Sequence, residues 1–131
     1  MADVNVGDQI PELRVTPDKY LPHRYAGASG DFNPIHIDDE FAKAVGLPRN
    51  ILHGLYSMGL VARANAQGLA GGDPRALKRL SVQFRGMGMP EQEIVVSGTV
   101  KSVEGDRVVI DTVATQGETQ IIKNAEAEVQ L

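Results

Sequence analysis

Residues 53–72, HGLYSMGLVARANAQGLAGG, are followed by a change of period, and that change decides the fold. Leu55, Met58, Gly59, Ala62, Ala66 and Leu69 recur at helical spacing, and Gly71-Gly72 ends the run. A helix of about 17 residues, at about 1.5 Å each, is a rod of about 25 Å. Its recurring side chains are small and apolar, so a covering surface can approach closely. From residue 77 the pattern is that of strands: LKRLSVQFRGMGMP (77–90), EIVVSGTVKSVEG (93–105), DRVVIDTVATQG (106–117) and ETQIIKNAEAEVQL (118–131). They are rich in Val, Ile and Thr, and Glu104-Gly105-Asp106 and Gln116-Gly117-Glu118 are short enough to be hairpin connections. Strands linked in this way pair antiparallel.

Outward from this core, ELRV (12–15) supplies a further strand after a lead punctuated by Gly7, Asp8 and Pro11. TPDKYLPHRYAGAS (16–29) predicts a helix capped by Thr16 with Pro17 in its first turn, bent or broken at Pro22. DDEFAKAVGLP (38–48) predicts a short helix capped by Asp38 or Asp39 and stopped by Gly46 and Pro48. A sheet must bury one face, and only the 53–72 helix is long enough to fill it. The expected fold is α+β: one domain, residues 1–131, with an antiparallel sheet wrapped on a central helix. Open sheet edges are most economically covered by a second subunit.

Composition narrows the function classes. Apolar residues at 42% and charged residues at 23% are those of a globular chain. A net charge of −4 argues against nucleic acid as a partner. With no cysteine the sequence offers neither disulfide nor thiolate chemistry. MADVNVGDQIPEL lacks the basic and apolar regions of a leader, and no apolar run approaches the ~20 residues of a membrane span. A soluble, cytoplasmic protein without membrane contact is expected.

Two segments carry candidate chemistry. In Gly30-Asp31-Phe32-Asn33-Pro34-Ile35-His36, Gly-Asp and Asn-Pro are turn formers, and Asp31 can simply bond a backbone amide two residues on. The same stretch can also set a carboxylate and an imidazole on one proline-stiffened loop, where together they hold a water and exchange its proton. Asp31, His36 and Asp38 do not resemble a standard metal ligand set, so no metal is expected. The second segment, NILHGLYS, puts His53-Gly54 at the start of the long helix, where unpaired N–H groups and the helix dipole favour an oxyanion. Gly54 allows close approach of a ligand. It can equally be a packing gap, with His53 a cap-like residue.

Together, YAGASGDFNPIHIDDEFAKAVGLP (25–48) and ILHGLYSMGL (51–60) resemble the MaoC-like (R)-specific enoyl-CoA hydratases and 3-hydroxyacyl dehydratases, which have the hotdog fold. The D-x-N-P-x-H core is intact as Asp31, Asn33, Pro34 and His36, and Leu55 stands where Met is usual. The likeness extends over nearly the whole chain, and is close to actinobacterial dehydratase subunits acting on long fatty acyl chains. It implies that Asp31 and His36 hold the catalytic water, that the Gly54 N–H binds the thioester carbonyl, and that Ser29 and Asn33 shape the loop. His53 is placed with the substrate-binding residues, and Arg63 and Arg85, from a basic set that includes Arg75, Lys78 and Arg79, are candidates for CoA phosphates. The implied substrate is an acyl-CoA or acyl-carrier-protein thioester, with no cofactor, and the implied assembly is a homodimer or a heterodimer of hotdog subunits. The other readings are a non-catalytic acyl-binding subunit and a hotdog thioesterase. One departure lies after Pro90, where Glu91-Gln92-Glu93 replaces the Gly-Asp of many relatives and bears on a local hairpin rather than on the catalytic loop.

Overall fold

A computed structural model describes residues 3–131. Ten residues after the first described one, β1 (Leu13–Val15) opens the sheet, followed by helices α1 (Leu21–Ser29), α2 (Pro34–Ile37), α3 (Asp39–Ala44) and α4 (Gly54–Ala70). Strands β2 (Leu77–Phe84), β3 (Ile94–Glu104), β4 (Arg107–Gln116) and β5 (Thr119–Gln130) complete the chain. The five strands pair antiparallel in the order β1-β3-β4-β5-β2. The sheet wraps α4 in the hotdog arrangement.

Both expected hairpins form. Gly105 and Gly117 turn them with φ of 60° and 56°, a region closed to most side chains. The segment after Pro90 is not a hairpin: β2 pairs with β5, so residues 85–93 carry the chain across the end of the sheet to β3. Glu91 takes φ of +70° there, and its strain is offset by its neighbours. Its N–H bonds the Pro17 carbonyl, its carboxylate meets Arg49 at 3.1 Å, and the Gln116 amide clasps the backbone of Met89 and Gln92.

Two other expectations change. The first helix does not open at Thr16; it starts at Leu21, because the Asp18 carboxylate takes the Tyr20 N–H and Arg24 and makes a turn there. Pro22 then falls in the first turn, where its missing N–H costs nothing, and it breaks no helix. The second change is the rotation of α4. Of the face expected to meet the sheet, only Ala66 is buried, while Leu55 is 62% exposed and Gly59 is open. The buried face is Ser57, Leu60, Val61, Ala64, Asn65 and Ala66. Branched side chains decide it: Leu60 and Val61 pack among Ile94, Val96, Ile110 and Ile122 of the sheet. Asn65, fully buried, donates to the Thr112 hydroxyl at 3.1 Å and to the Val61 carbonyl at 2.9 Å, pinning the rotation with a satisfied polar pair. Gly68 lets the helix touch Ile10, whose Cβ would lie 2.9 Å from any added methyl.

Two truncations separate the faces. Leu60→Ala should lower the unfolding free energy by ~2–5 kcal/mol, as for other buried leucines. Leu55→Ala should change it by under ~0.5 kcal/mol. Urea denaturation measures both, and equal losses would place the helix in the other rotation.

Candidate functional site

The sequence around Asp31 dictates a run of short local bonds. Ser29 Oγ accepts from the Asp31 N–H, Asp31 Oδ1 accepts from the Asn33 N–H, and Asn33 Oδ1 caps α2 through the Ile35 N–H. Pro34 fills the first position of that single turn, and His36 lies within it. Asp38 caps α3 in the same manner, as expected. The turn-forming reading of Asp31 and the chemical one therefore coexist. Oδ1 serves the loop, while Oδ2 lies 3.8 Å from His36 Nε2.

A second strip of chain, residues 50–53, fastens this loop. The Ile51 N–H bonds the Ile35 carbonyl, and Asn50 Nδ2 donates to the His36 carbonyl at 2.9 Å. The Asn50 N–H in turn bonds Asp39, whose carboxyl is held below its usual range by Lys43 first and by that N–H second. Two bonds come from the histidine rings. His36 Nδ1 lies 2.9 Å from the Ile51 carbonyl, and His53 Nε2 lies 2.9 Å from the Asp31 carbonyl. A carbonyl oxygen only accepts, so each of these ring nitrogens carries the proton. In its neutral form His36 then presents a bare Nε2 lone pair toward Asp31.

Two acceptors 3.8 Å apart cannot bond each other. They can both accept from one water, which fixes the direction of its two hydrogens and leaves its oxygen free to react. His36 is 8% exposed and stacks on His53, ring centroids 3.9 Å apart and planes 21° apart. Tyr25 packs on His53 at 4.8 Å and on Tyr56 at 5.7 Å. Asp31, Ser29, Tyr25, His53 and Gly54 line a cavity of about 270 Å³ together with Leu55 and Phe84, both exposed apolar residues.

Gly54 opens α4, and His53 makes no side-chain cap there; the Tyr56 N–H turns back to the His53 carbonyl at 3.1 Å, while the Gly54 N–H has no partner among the described residues and stays available to a ligand. A Cβ on Gly54 would stand 3.1 Å from the Phe84 ring, inside the cavity. Among the described residues Asp31, His36 and His53 bring one potential ligand atom each within 4.8 Å of one another. Geometry disfavours an ion there. A ring nitrogen binds a metal in the plane of its ring, and two stacked rings cannot aim in-plane lone pairs at one point.

The structure thus gathers Ser29, Asp31, Asn33, His36, His53 and Gly54 at one place. The arginines divide. Arg85 follows Phe84 directly, whereas Arg63 is nine residues along α4 from Gly54, about 13 Å at 1.5 Å per residue, beside an apolar groove of about 310 Å³. Arg75 pairs with Asp73 and Arg79 with Glu126, while among the described residues Arg63 and Arg85 meet no carboxylate. Asn50, Tyr25 and Phe84 were not singled out from sequence. Tyr25 lies inside the loop motif and could have been; the Asn50 contact, 14 residues from His36, leaves no local pattern.

Comparison with known proteins bears on the same residues. The family description "MaoC like domain" matches residues 6–122. Enoyl-CoA hydratase 2 of Arabidopsis thaliana peroxisomes is 40% identical over 103 residues, which is 79% of this chain and 31% of that protein. Enoyl-CoA hydratase ChsH3 of Mycobacterium tuberculosis is 32% identical over 119 residues, 88% of this chain and 40% of that protein. A solved MaoC-like dehydratase superposes with a TM-score of 0.92 at 32% identity, covering 98% of this chain and 41% of the other. The chain spans well under half the length of these three relatives. With a match that runs through both the Asp31–His36 loop and the start of α4, the chain belongs to the MaoC-like domain family.

Proposed function

We propose that the chain adds water to trans-2-enoyl thioesters, and removes it from (R)-3-hydroxyacyl thioesters, at the Asp31–His36 pair. The observation that carries the proposal is the facing of Asp31 Oδ2 and His36 Nε2, the nitrogen not spent on the Ile51 carbonyl, at a spacing suited to one shared water. In the hydration direction that water's oxygen bonds C3. One proton leaves it to the pair, and the pair returns one to C2 on the same face. As the oxygen bonds C3 the thioester carbonyl takes on enolate character, and the Gly54 N–H at the start of α4 receives that charge until C2 gains its proton. Two relatives bear the name enoyl-CoA hydratase, in accord with this reading.

The remaining site residues take supporting parts in the same proposal. Ser29 and Asn33 hold the loop through the Asp31 N–H and carboxylate. The acyl chain runs along α4, and Arg85 and Arg63, neither ion-paired among the described residues, meet the phosphates of a CoA or carrier-protein arm. The chain acts as one domain, 1–131, in the cytoplasm; no described helix is long and apolar enough to cross a membrane. The intact acceptor pair favours an enzyme over a purely acyl-binding subunit, and the water geometry favours hydration over thioester hydrolysis.

The same proposal includes a dimer. β2 is an eight-residue strand to whose outer side none of the described residues pairs, whereas β1 at the opposite edge has three residues. A long open edge is a template for a further strand. The expected partner is a second copy or another hotdog subunit.

Asp31→Asn and His36→Ala should each fold normally and lose crotonyl-CoA hydration by roughly 10²–10⁴-fold. Glu118→Gln, on an exposed turn, should lose none. Near-full activity in Asp31→Asn would refute the assignment, and release of free CoA in place of hydration would establish the thioesterase. Analytical ultracentrifugation should give twice the 14.1 kDa chain mass. A monomer that turns over only with another hotdog subunit present would make the assembly heteromeric.

A further inference from the structure

His53 borders the cavity, yet it is among the most buried polar residues, at 2% exposure. Its Nε2 is committed to the Asp31 carbonyl at 2.9 Å. Its Nδ1, left without a proton by that bond, is buried and has no partner among the described residues. It is not spent on capping α4 either. One ring face of His36 lies on it, and Tyr25 packs against it. A buried unpaired acceptor costs stability, so the ring is poorly explained as a contribution to the core.

Its position explains it better. The Asp31 side chain is about half exposed, and its local loop bonds come from the exposed residues Ser29 and Asn33. The His53 bond ties the Asp31 backbone to the residue just before the helix, while the same ring stacks against the imidazole that Asp31 faces. One side chain therefore touches both members of the acceptor pair and immediately precedes Gly54. We propose that His53 is a positioning residue: its Nε2–H and ring face together hold Asp31 and His36 at the separation one water needs. The proposal rests on the hydratase reading for its consequence in catalysis, and on the hydrogen bond alone for its consequence in the loop. It replaces contact with substrate, expected from the sequence, by action through Asp31.

The test compares His53→Leu, His53→Asn and His53→Gln. Glutamine's amide reaches about as far as Nε2 and can donate to the Asp31 carbonyl; asparagine's does not reach, and leucine has no donor. Leucine also removes the unpaired acceptor, and water can replace the donor at the exposed Asp31, so its Tm should not fall below that of the wild-type protein. With crotonyl-CoA, His53→Leu and His53→Asn should lose ~10–100-fold in kcat with KM changed less than about threefold, as for a reacting pair displaced by a fraction of an ångström. His53→Gln should recover most of the loss. Amide hydrogen exchange at Asp31, Asn33 and His36 should quicken in the first two variants and not in the third. Unchanged kcat in His53→Leu, or equal losses in all three variants, would overturn the proposal. If His53→Leu does not fold, His53→Asn against His53→Gln carries the comparison. If the unaltered protein hydrates no enoyl thioester, the functional reading fails while the exchange rates still decide whether His53 positions the loop.

Discussion

Two imidazole N–H groups donating to two backbone carbonyls are the constraint on which the site depends. His36 reaches forward to Ile51 and His53 reaches back to Asp31, each at 2.9 Å. The bonds cross between the same two strips of chain, so neither strip can slide without breaking both. They also fix the tautomers. Had His36 carried its proton on Nε2, the ring would donate directly toward Asp31 and no second acceptor would remain for a water. The local turn bonds of Ser29, Asp31 and Asn33 shape the loop, but the long-range bonds orient it against the helix start.

The fold supplies that helix start in a fixed place. α4 is held along its length by Leu60, Val61 and Ala64 against the sheet, and about its axis by Asn65 and Thr112. A small rotation would strand a buried amide, a penalty of ~1–3 kcal/mol, so the direction in which the Gly54 N–H points is set far from the site. The outer face of the helix, free of that duty, keeps Gly59 and Ala62 along an open apolar groove. Core and site thus use opposite sides of one element.

Much of this was legible in the sequence for one physical reason: it was local. Turn chemistry and capping work over two to four residues, so the Asp31-to-His36 loop, the cap of α3 and both hairpins could be read directly, whereas the single turn of α2 that Asn33 caps was read only as a turn. Period also revealed the helix and the sheet. What escaped reading was set by partners distant in the chain. The rotation of α4 depended on which apolar side chains the sheet selects, and small residues occur on both faces. The crossing loop after Pro90 is held by Pro17, Arg49 and Gln116, none of them near it in sequence. His53 was placed with the substrate-binding residues beside a glycine, and its bond to the Asp31 carbonyl, 22 residues earlier, leaves no local pattern to read.

The central claim is therefore a claim about where two protons sit, and long-range ¹H–¹⁵N correlation NMR of the histidine rings reads it directly. For the neutral rings the account predicts protonated Nδ1 and bare Nε2 in His36, with the opposite arrangement, protonated Nε2 and bare Nδ1, in His53. A neutral His36 protonated on Nε2 would leave the Ile51 carbonyl without its donor, turn an N–H toward Asp31, and contradict the account.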